Sequence, residues 1–165
     1  MELVGIGDYF EDMPVGRRYR TIGRTVTNAD IVNFINVTGL TEVFFIDHEA
    51  IRTQSVFGRR FAPMALCYCF SEALIAQATL QHTGLAMLAL DLEVKNPVFQ
   101  DDTIHAECEV IEARPSRSKP DRGILKTRVE IVKQDGTLAS VYHPTRMMKR
   151  RPASRNGELS PGGAA

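Results

Sequence analysis

Residues 65–81 read Ala-Leu-Cys-Tyr-Cys-Phe-Ser-Glu-Ala-Leu-Ile-Ala-Gln-Ala-Thr-Leu-Gln, and this stretch decides the fold. Leu66, Cys67, Tyr68, Phe70, Ala73, Leu74, Ile75, Ala76, Ala78 and Leu80 surround a helical projection instead of forming one stripe. A helix apolar nearly all round is enclosed by other elements. Pro63 precedes it and Gly84 closes it, so a long central helix is expected over Ala65–Gln81.

C-terminal to this helix the hydrophobic period falls to two. Leu88, Leu90, Leu92 and Val94 alternate with Ala89, Asp91 and Glu93, as in a strand with one buried face. Asn96-Pro97 and Gln100-Asp101-Asp102 interrupt the pattern. It resumes with Ile104, Ala106, Cys108 and Val110, and again with Leu125, Thr127, Val129 and Ile131. Arg114–Gly123 reads as a polar loop with two prolines. Asp135-Gly136 is expected to form a tight hairpin, since both residues tolerate positive φ. Leu138–Lys149 is the last strand. Pro144 within it points to a sheet edge or a bulge, because proline cannot donate to a ladder.

N-terminal to the helix, Arg18–Val26 reads as a first strand after an irregular arm. Thr27 and Asp30 have the spacing of a reciprocal helix cap, and Ile31, Phe34 and Ile35 follow on one face. Gly39 ends this helix. Asp47 is placed to cap a short helix over Asp47–Arg52. Helices thus come first and four strands follow, joined by connections too short for helical crossovers. The sheet is therefore antiparallel. The fold class is α+β: a curled antiparallel sheet wrapped around one long central helix, the hot-dog arrangement. Its open edge calls for pairing or covering.

The 165 residues suit one domain. It is assigned to residues 1–151, with a disordered Pro-, Gly- and Ser-rich tail over residues 152–165. Twenty basic and twenty acidic residues cancel, which gives no electrostatic footprint for nucleic acid. The basic cluster Lys149, Arg150, Arg151 and Arg155 reads as a solvated strand end. No window approaches the roughly 20 apolar residues of a membrane helix. The N-terminus lacks the basic start and apolar run of a secretion signal, so a cytoplasmic location is expected. Cys67, Cys69 and Cys108 read as reduced thiols, and no histidine spacing suggests a metal. No nucleotide-binding glycine loop is present, and no cofactor is expected.

Four segments, in this order, resemble the MaoC-like dehydratases, the (R)-specific enoyl-CoA hydratase group of hot-dog proteins. Thr25–Phe34 is similar to that family's T-x-T-x-x-D-I-x-x-F segment. Thr38-Gly39 with Ile46-Asp47 is similar to the frame of its hydratase motif. Phe57–Ala62 is similar to F-G-x-x-I-A, and Val94–Thr103 to F-x-x-P-V-x-x-G-D-T. The resemblance implies a dimer and a ligand that is an acyl-CoA or acyl-carrier-protein thioester. The family's hydratase motif is G-D-x-N-P-x-H-x-D, whereas this chain reads Gly39-Leu40-Thr41-Glu42-Val43-Phe44-Phe45-Ile46-Asp47. Leu40 stands at the catalytic Asp position and Phe45 at the catalytic His position. Pro63-Met64-Ala65 replaces H-G-M, and the Met64 N–H is left to face the thioester oxygen.

Hydration of an enoyl thioester needs a base, an acid or water-positioning group, and donors for the developing enolate oxygen. Leucine and phenylalanine transfer no protons. Glu42, near the vacated His position in a pocket walled by Phe44 and Phe45, is a candidate base or a solvent-facing carboxylate. Glu72, inside an otherwise apolar helix, is a candidate water-activating group or the partner of an arginine such as Arg59 or Arg60. Asp47 and His48 form a candidate pair, with a cap and a solvated imidazole as the alternative. Three functions follow: a hydro-lyase with a rearranged site, a hot-dog thioesterase using Glu72 or Glu42, and a catalytically silent acyl-thioester-binding subunit.

Overall fold

The computed structural model describes Met1 and residues 3–152. The expected disordered tail and Arg155 lie outside the described residues. After a 3₁₀ turn at Phe10–Asp12 come β1 (Arg18–Arg20), β2 (Arg24–Thr25), α1 (Asn28–Thr38), α2 (Val43–Ile46), α3 (His48–Gln54) and α4 (Met64–Ile75). A π-helical turn (Ala76–Leu80) leads into β3 (Gly84–Val94), β4 (Thr103–Pro115), β5 (Arg122–Lys133) and β6 (Leu138–Lys149). The pairings are antiparallel in the order β1-β4-β5-β6-β3, with β2 also on β4. The sheet curls around α4, so the hot-dog arrangement is the fold.

Local chemistry sets the helix ends. The Asp30 N–H donates to Thr27 Oγ1 at 3.2 Å, and the Thr27 N–H donates to Asp30 Oδ2 at 2.9 Å. A cap of this kind stabilises by about 1 kcal/mol. Gly39 ends α1 at φ 68°, a left-handed conformation that costs glycine little. Ile31 and Ile35 pass under the helix into a core shared with Leu66, Cys67 and Phe70 of α4 and Ile104, Ala106 and Cys108 of β4. Burying each large aliphatic side chain contributes about 1.5–3 kcal/mol.

The expected first strand, Arg18–Val26, is broken into β1 and β2. The Thr21 N–H donates to the Ala106 carbonyl and Thr21 Oγ1 accepts from the Ala106 N–H, each at 2.9 Å. The side chain thus takes over a ladder bond where the backbone bends.

The central helix is α-helical over Met64–Ile75 and then widens into the π turn. The Gly7 and Asp8 N–H groups donate to the Gln81 and Thr79 carbonyls at 2.8 and 2.9 Å. The N-terminal arm thereby satisfies acceptors at the helix end. A Cβ on Gly7 would lie 2.4 Å from the Thr79 oxygen, so glycine is required there for the close approach. Enclosure on all sides does not hold for one chain: Ala65, Cys69 and Ala73 line an open face of α4.

The same correction applies to β3. Leu90, Leu92 and Val94 pair with Pro144, Tyr142 and Ser140 of β6, which puts them on the concave side with buried Tyr142. Their alternation is as expected, but no element among the described residues covers them, and Leu88, Leu90, Leu92 and Val94 are 50%, 42%, 36% and 58% exposed.

Three smaller expectations change. The Arg114–Gly123 loop shortens to residues 116–121, because β4 continues to Pro115. In the β5–β6 hairpin only Gly136 has positive φ, 84°, and the Gly136 N–H donates to the Lys133 carbonyl. Its αL residue follows the turn, as in three-residue hairpin loops. Pro144 lies in an interior strand, not at an edge; the β5–β6 ladder passes from Lys126↔Thr145 to Val129↔Tyr142 across it. A register shift in β3 between Met87 and Ala89 lies beside it.

Candidate functional site

The segment between α1 and α4 builds the wall of a cleft. Glu42 caps α2, its Oε2 accepting from the Phe44 N–H at 2.8 Å. Asp47 caps α3, its Oδ1 accepting from the Glu49 and Ala50 N–H groups at 2.9 and 3.0 Å. These caps turn the chain twice within a few residues and point Phe45 inward, where it packs against the core. Phe45 and Phe61 rings lie 5.2 Å apart, and Phe57 and Phe61 rings 4.9 Å.

These three rings, Pro63 and Met64 at the start of α4, and the chain from Val94 to Pro97 enclose a cleft of about 390 Å³. Its floor is the N-terminus of α4. Pro63, at the N-cap, supplies no side-chain cap, and its carbonyl accepts from the Leu66 N–H at 3.0 Å. The Met64 and Ala65 N–H groups have no acceptor among the described residues, as expected of the first donors of a helix. The lining holds no carboxylate and no imidazole; its polar side chains are Lys95 and Asn96.

Phe45, Pro63 and Met64 therefore meet as read from the sequence. Phe44 is half-buried but off the lining, and Ala65 lies on the open face of α4. Phe57 and Phe61 were not assigned a binding role from sequence, although they belong to the segment that resembled F-G-x-x-I-A.

His48 and Asp47 do not enter the cleft. The exposed His48 Nε2 lies 2.8 Å from Arg60 Nη1. Arginine only donates, so Nε2 accepts and the ring proton sits on Nδ1. Arg60 Nη1 also donates to the Phe45 carbonyl at 3.2 Å, holding the cleft wall to α3. Burial lowers the Arg60 pKa, and its Nε is buried without a partner among the described residues.

Glu72 is engaged elsewhere. Its Oε2 and Oε1 accept from Arg146 Nη1 and Nη2, each at 2.7 Å. Tyr142 donates to Oε1 at 2.8 Å, and the Tyr142 and Ser71 hydroxyls are 2.7 Å apart. Burial and the adjacent Glu72 charge push the Tyr142 pKa far up. The Arg146 pKa is also raised: burial opposes this, but the Glu72 hydrogen bonds and charge outweigh it. An arginine partner was one of the readings of Glu72, but that partner is on β6. Arg59 instead stacks on Phe99, 3.5 Å from the ring centre.

No family model and no curated relative matches this sequence. Solved structures do. A MaoC-like dehydratase from Rhodospirillum rubrum is 28% identical with a TM-score of 0.77, covering 89% of this chain and 100% of that one. This chain has the MaoC-like hot-dog fold. A monoamine oxidase regulatory protein from Archaeoglobus is 26% identical with a TM-score of 0.79, covering 88% of this chain and 97% of that one. A Mycobacterium tuberculosis protein with a double hot-dog fold is 19% identical with a TM-score of 0.81. That match covers 94% of this chain and 48% of that one.

Proposed function

We propose that this MaoC-like protein binds an acyl-CoA or acyl-carrier-protein thioester, with the acyl chain among Phe45, Phe57 and Phe61 and the thioester oxygen on the Met64 N–H. One observation carries the reading: an aromatic cleft ends on unclaimed backbone donors at the N-terminus of α4. Donors fixed there stabilise a developing enolate or tetrahedral oxygen.

The cleft supplies no proton-transfer pair. A base contributes typically ~10²–10⁴-fold, so hydration by the bare donor falls short of ordinary hydratase rates by about that factor. Glu72 has both oxygens engaged by Arg146 and Tyr142 and is absent from the cleft lining, so it is not placed to activate water for either hydration or thioester hydrolysis. The silent acyl-thioester-binding subunit is thus the favoured reading, ahead of the rearranged hydro-lyase and the thioesterase. One observation keeps hydration as a second reading: the Glu42 carboxylate lies in the loop that carries Phe45.

The oligomer we propose is a two-fold dimer through β3, in a reducing cytoplasmic setting that suits three free cysteines. A free sheet edge, an uncovered apolar face and the small residues Ala65, Cys69 and Ala73 on the adjoining helix face favour a second copy as the cover. The double hot-dog protein, two such units in one chain, supports this pairing.

The test is incubation with crotonyl-CoA and with octanoyl-CoA. Binding of both, seen as thermal stabilisation, with neither enoyl absorbance loss nor free thiol, is expected. Hydration lost in Glu42→Gln would establish the second reading, and free thiol would establish the thioesterase.

A further inference from the structure

Behind the wall of the cleft lies a second, smaller concavity. Phe57 and Phe61 line the cleft, while Gly58, Arg59 and Arg60 between them line this other pocket, together with His48 and Arg52 of α3. The pocket measures about 140 Å³, below the ~300–1,000 Å³ of sites that enclose a whole drug-sized ligand. It has room for one small group. Three arginines and a histidine surround it, and its lining holds no carboxylate.

The charge there is unbalanced and held in place. At the end of β6, by contrast, Arg122, Arg150 and Arg151 each hold a carboxylate, on Asp121, Glu11 and Asp12. Arg59 and Arg60 hold none among the described residues. Arg59 is stacked over Phe99, 3.5 Å from the ring centre. Arg60 Nη1 is fixed between the Phe45 carbonyl and His48 Nε2, both neutral acceptors, and its buried Nε has no partner among the described residues. Arg52 is paired with Glu49 at 3.1 Å, but both side chains are about two-thirds exposed, and such a pair stabilises by little. Side chains already immobilised lose little further freedom on binding a ligand.

We propose that this pocket binds a phosphate group. A tetrahedral oxyanion matches fixed guanidinium donors in charge and in shape. It supplies the counter-charge that Arg59 and Arg60 lack, and the Nδ1–H of His48 adds a neutral donor. Arg60 serves both sites, because the Phe45 whose carbonyl it holds also lines the cleft. A phosphate that anchors Arg60 therefore steadies the cleft wall, and by reciprocity a filled cleft favours the phosphate. The pocket stands without the thioester reading; the coupling rests on it.

The experiment titrates inorganic phosphate into the protein at constant ionic strength, so that screening does not change. Calorimetry and thermal stabilisation read the binding, which should saturate. Arg59→Gln should weaken it by about tenfold or more, the scale of one lost charge-assisted hydrogen bond. Arg59→Lys keeps the charge but not the planar fork and should fall between. Arg150→Gln, in the other basic cluster, should leave phosphate binding unchanged. Octanoyl-pantetheine, a thioester without phosphate, should bind about fivefold tighter when phosphate is present, at the lower end of ordinary coupling. Octanoyl-CoA identifies the source of the group. If it expels phosphate where octanoyl-pantetheine does not, the phosphate belongs to the ligand of the cleft; if phosphate stays bound, the pocket takes the free ion.

Phosphate that stabilises no more than chloride at equal ionic strength, or binds Arg59→Gln as tightly as wild type, would overturn the site. An octanoyl-pantetheine affinity that phosphate leaves unchanged or weakens would overturn the coupling alone. Failure of octanoyl-pantetheine to bind at all would strike the thioester reading, with the phosphate site still standing.

Discussion

The carboxylate of Glu72 and the guanidinium of Arg146 meet in a two-armed pair, both N–O distances 2.7 Å, with the side chains only 19% and 10% exposed. Tyr142 closes the arrangement on Oε1. Arginine and carboxylate are matched in shape here, and every Glu72 oxygen is occupied. The group has the character of a strut between α4 and β6.

Glu72→Gln should therefore lower stability and leave ligand affinity alone. Removing one member of a nearly buried pair strands the other, at about 3 kcal/mol. In a chain of this size that lowers Tm by roughly 6–12 °C. Glu72→Gln combined with Arg146→Met should recover part of the loss, since no buried charge is left unpaired. Calorimetry of the three variants, with octanoyl-CoA titrations, checks this. A Glu72→Gln protein with native Tm and lost binding would restore Glu72 to the site.

Phe45 supports the opposite experiment, a gain. It lines the cleft with Met64, where the family resemblance places the catalytic histidine. Leu40, 37% exposed just after α1, falls where the same resemblance would put the aspartate. Leu40→Asp with Phe45→His should create crotonyl-CoA hydration above the parent rate, by up to ~10²–10⁴-fold for a working base. Loss of enoyl absorbance measures it. No gain in a folded, ligand-binding variant would mean that the register around this loop is misassigned.

The elements were legible where local chemistry and period agreed. The Thr27–Asp30 cap, the Gly39 stop, the Asp47 cap and the alternation in β4 and β5 all express short-range rules, and these were read at the right residues. Two features were not readable because they depend on what lies opposite. Leu90 and Leu92 alternate like a buried face whether or not the cover belongs to the same chain. Glu72 in an apolar helix signals a partner without naming it, and Arg146 is far away in sequence. Phe57 and Phe61 carry no chemistry of their own, so only the closed cleft revealed them.

The apolar face of β3 makes a direct prediction about assembly. Leu90→Lys with Leu92→Glu should turn the proposed dimer into a monomer in sedimentation velocity runs, with little change in the protomer's own fold, since both side chains are exposed there. A wild-type protein that sediments as a monomer at micromolar concentration would remove the β3 pairing.

Asp102 fixes the turn into β4. It accepts from the Phe99 N–H at 2.8 Å and from Gln134 Nε2 at 2.9 Å, and pairs with Lys133 at 3.0 Å. Burial alone would raise its pKa, but these contacts outweigh it and hold the group below the usual carboxylate value. Its stabilising contribution is therefore complete above the unfolded value, about 3.9, and is lost as pH falls through the lower folded value. Asp102→Asn should cost about 3 kcal/mol at neutral pH, leaving Lys133 without its counter-charge. The gap between wild type and variant should narrow below about pH 4. Denaturant unfolding at several pH values measures it, and a gap independent of pH would contradict the assignment.

The cysteines report on the same assembly by a different route. Burial pushes the Cys67 and Cys108 thiols up to about 12, and the thiolate is the reactive species. At pH 8 neither should alkylate in the folded protein. Cys69 is exposed on the open face of α4, the face assigned to the second copy. In the Leu90→Lys, Leu92→Glu protein it should be the one thiol modified quickly by iodoacetamide, as read by mass spectrometry. If the proposed β3 dimer forms, the same residue should react much more slowly in the wild-type protein, because the second copy covers it. Equal rates at Cys69 in both proteins would show that this helix face stays open to solvent, and a second copy could not then be what covers β3.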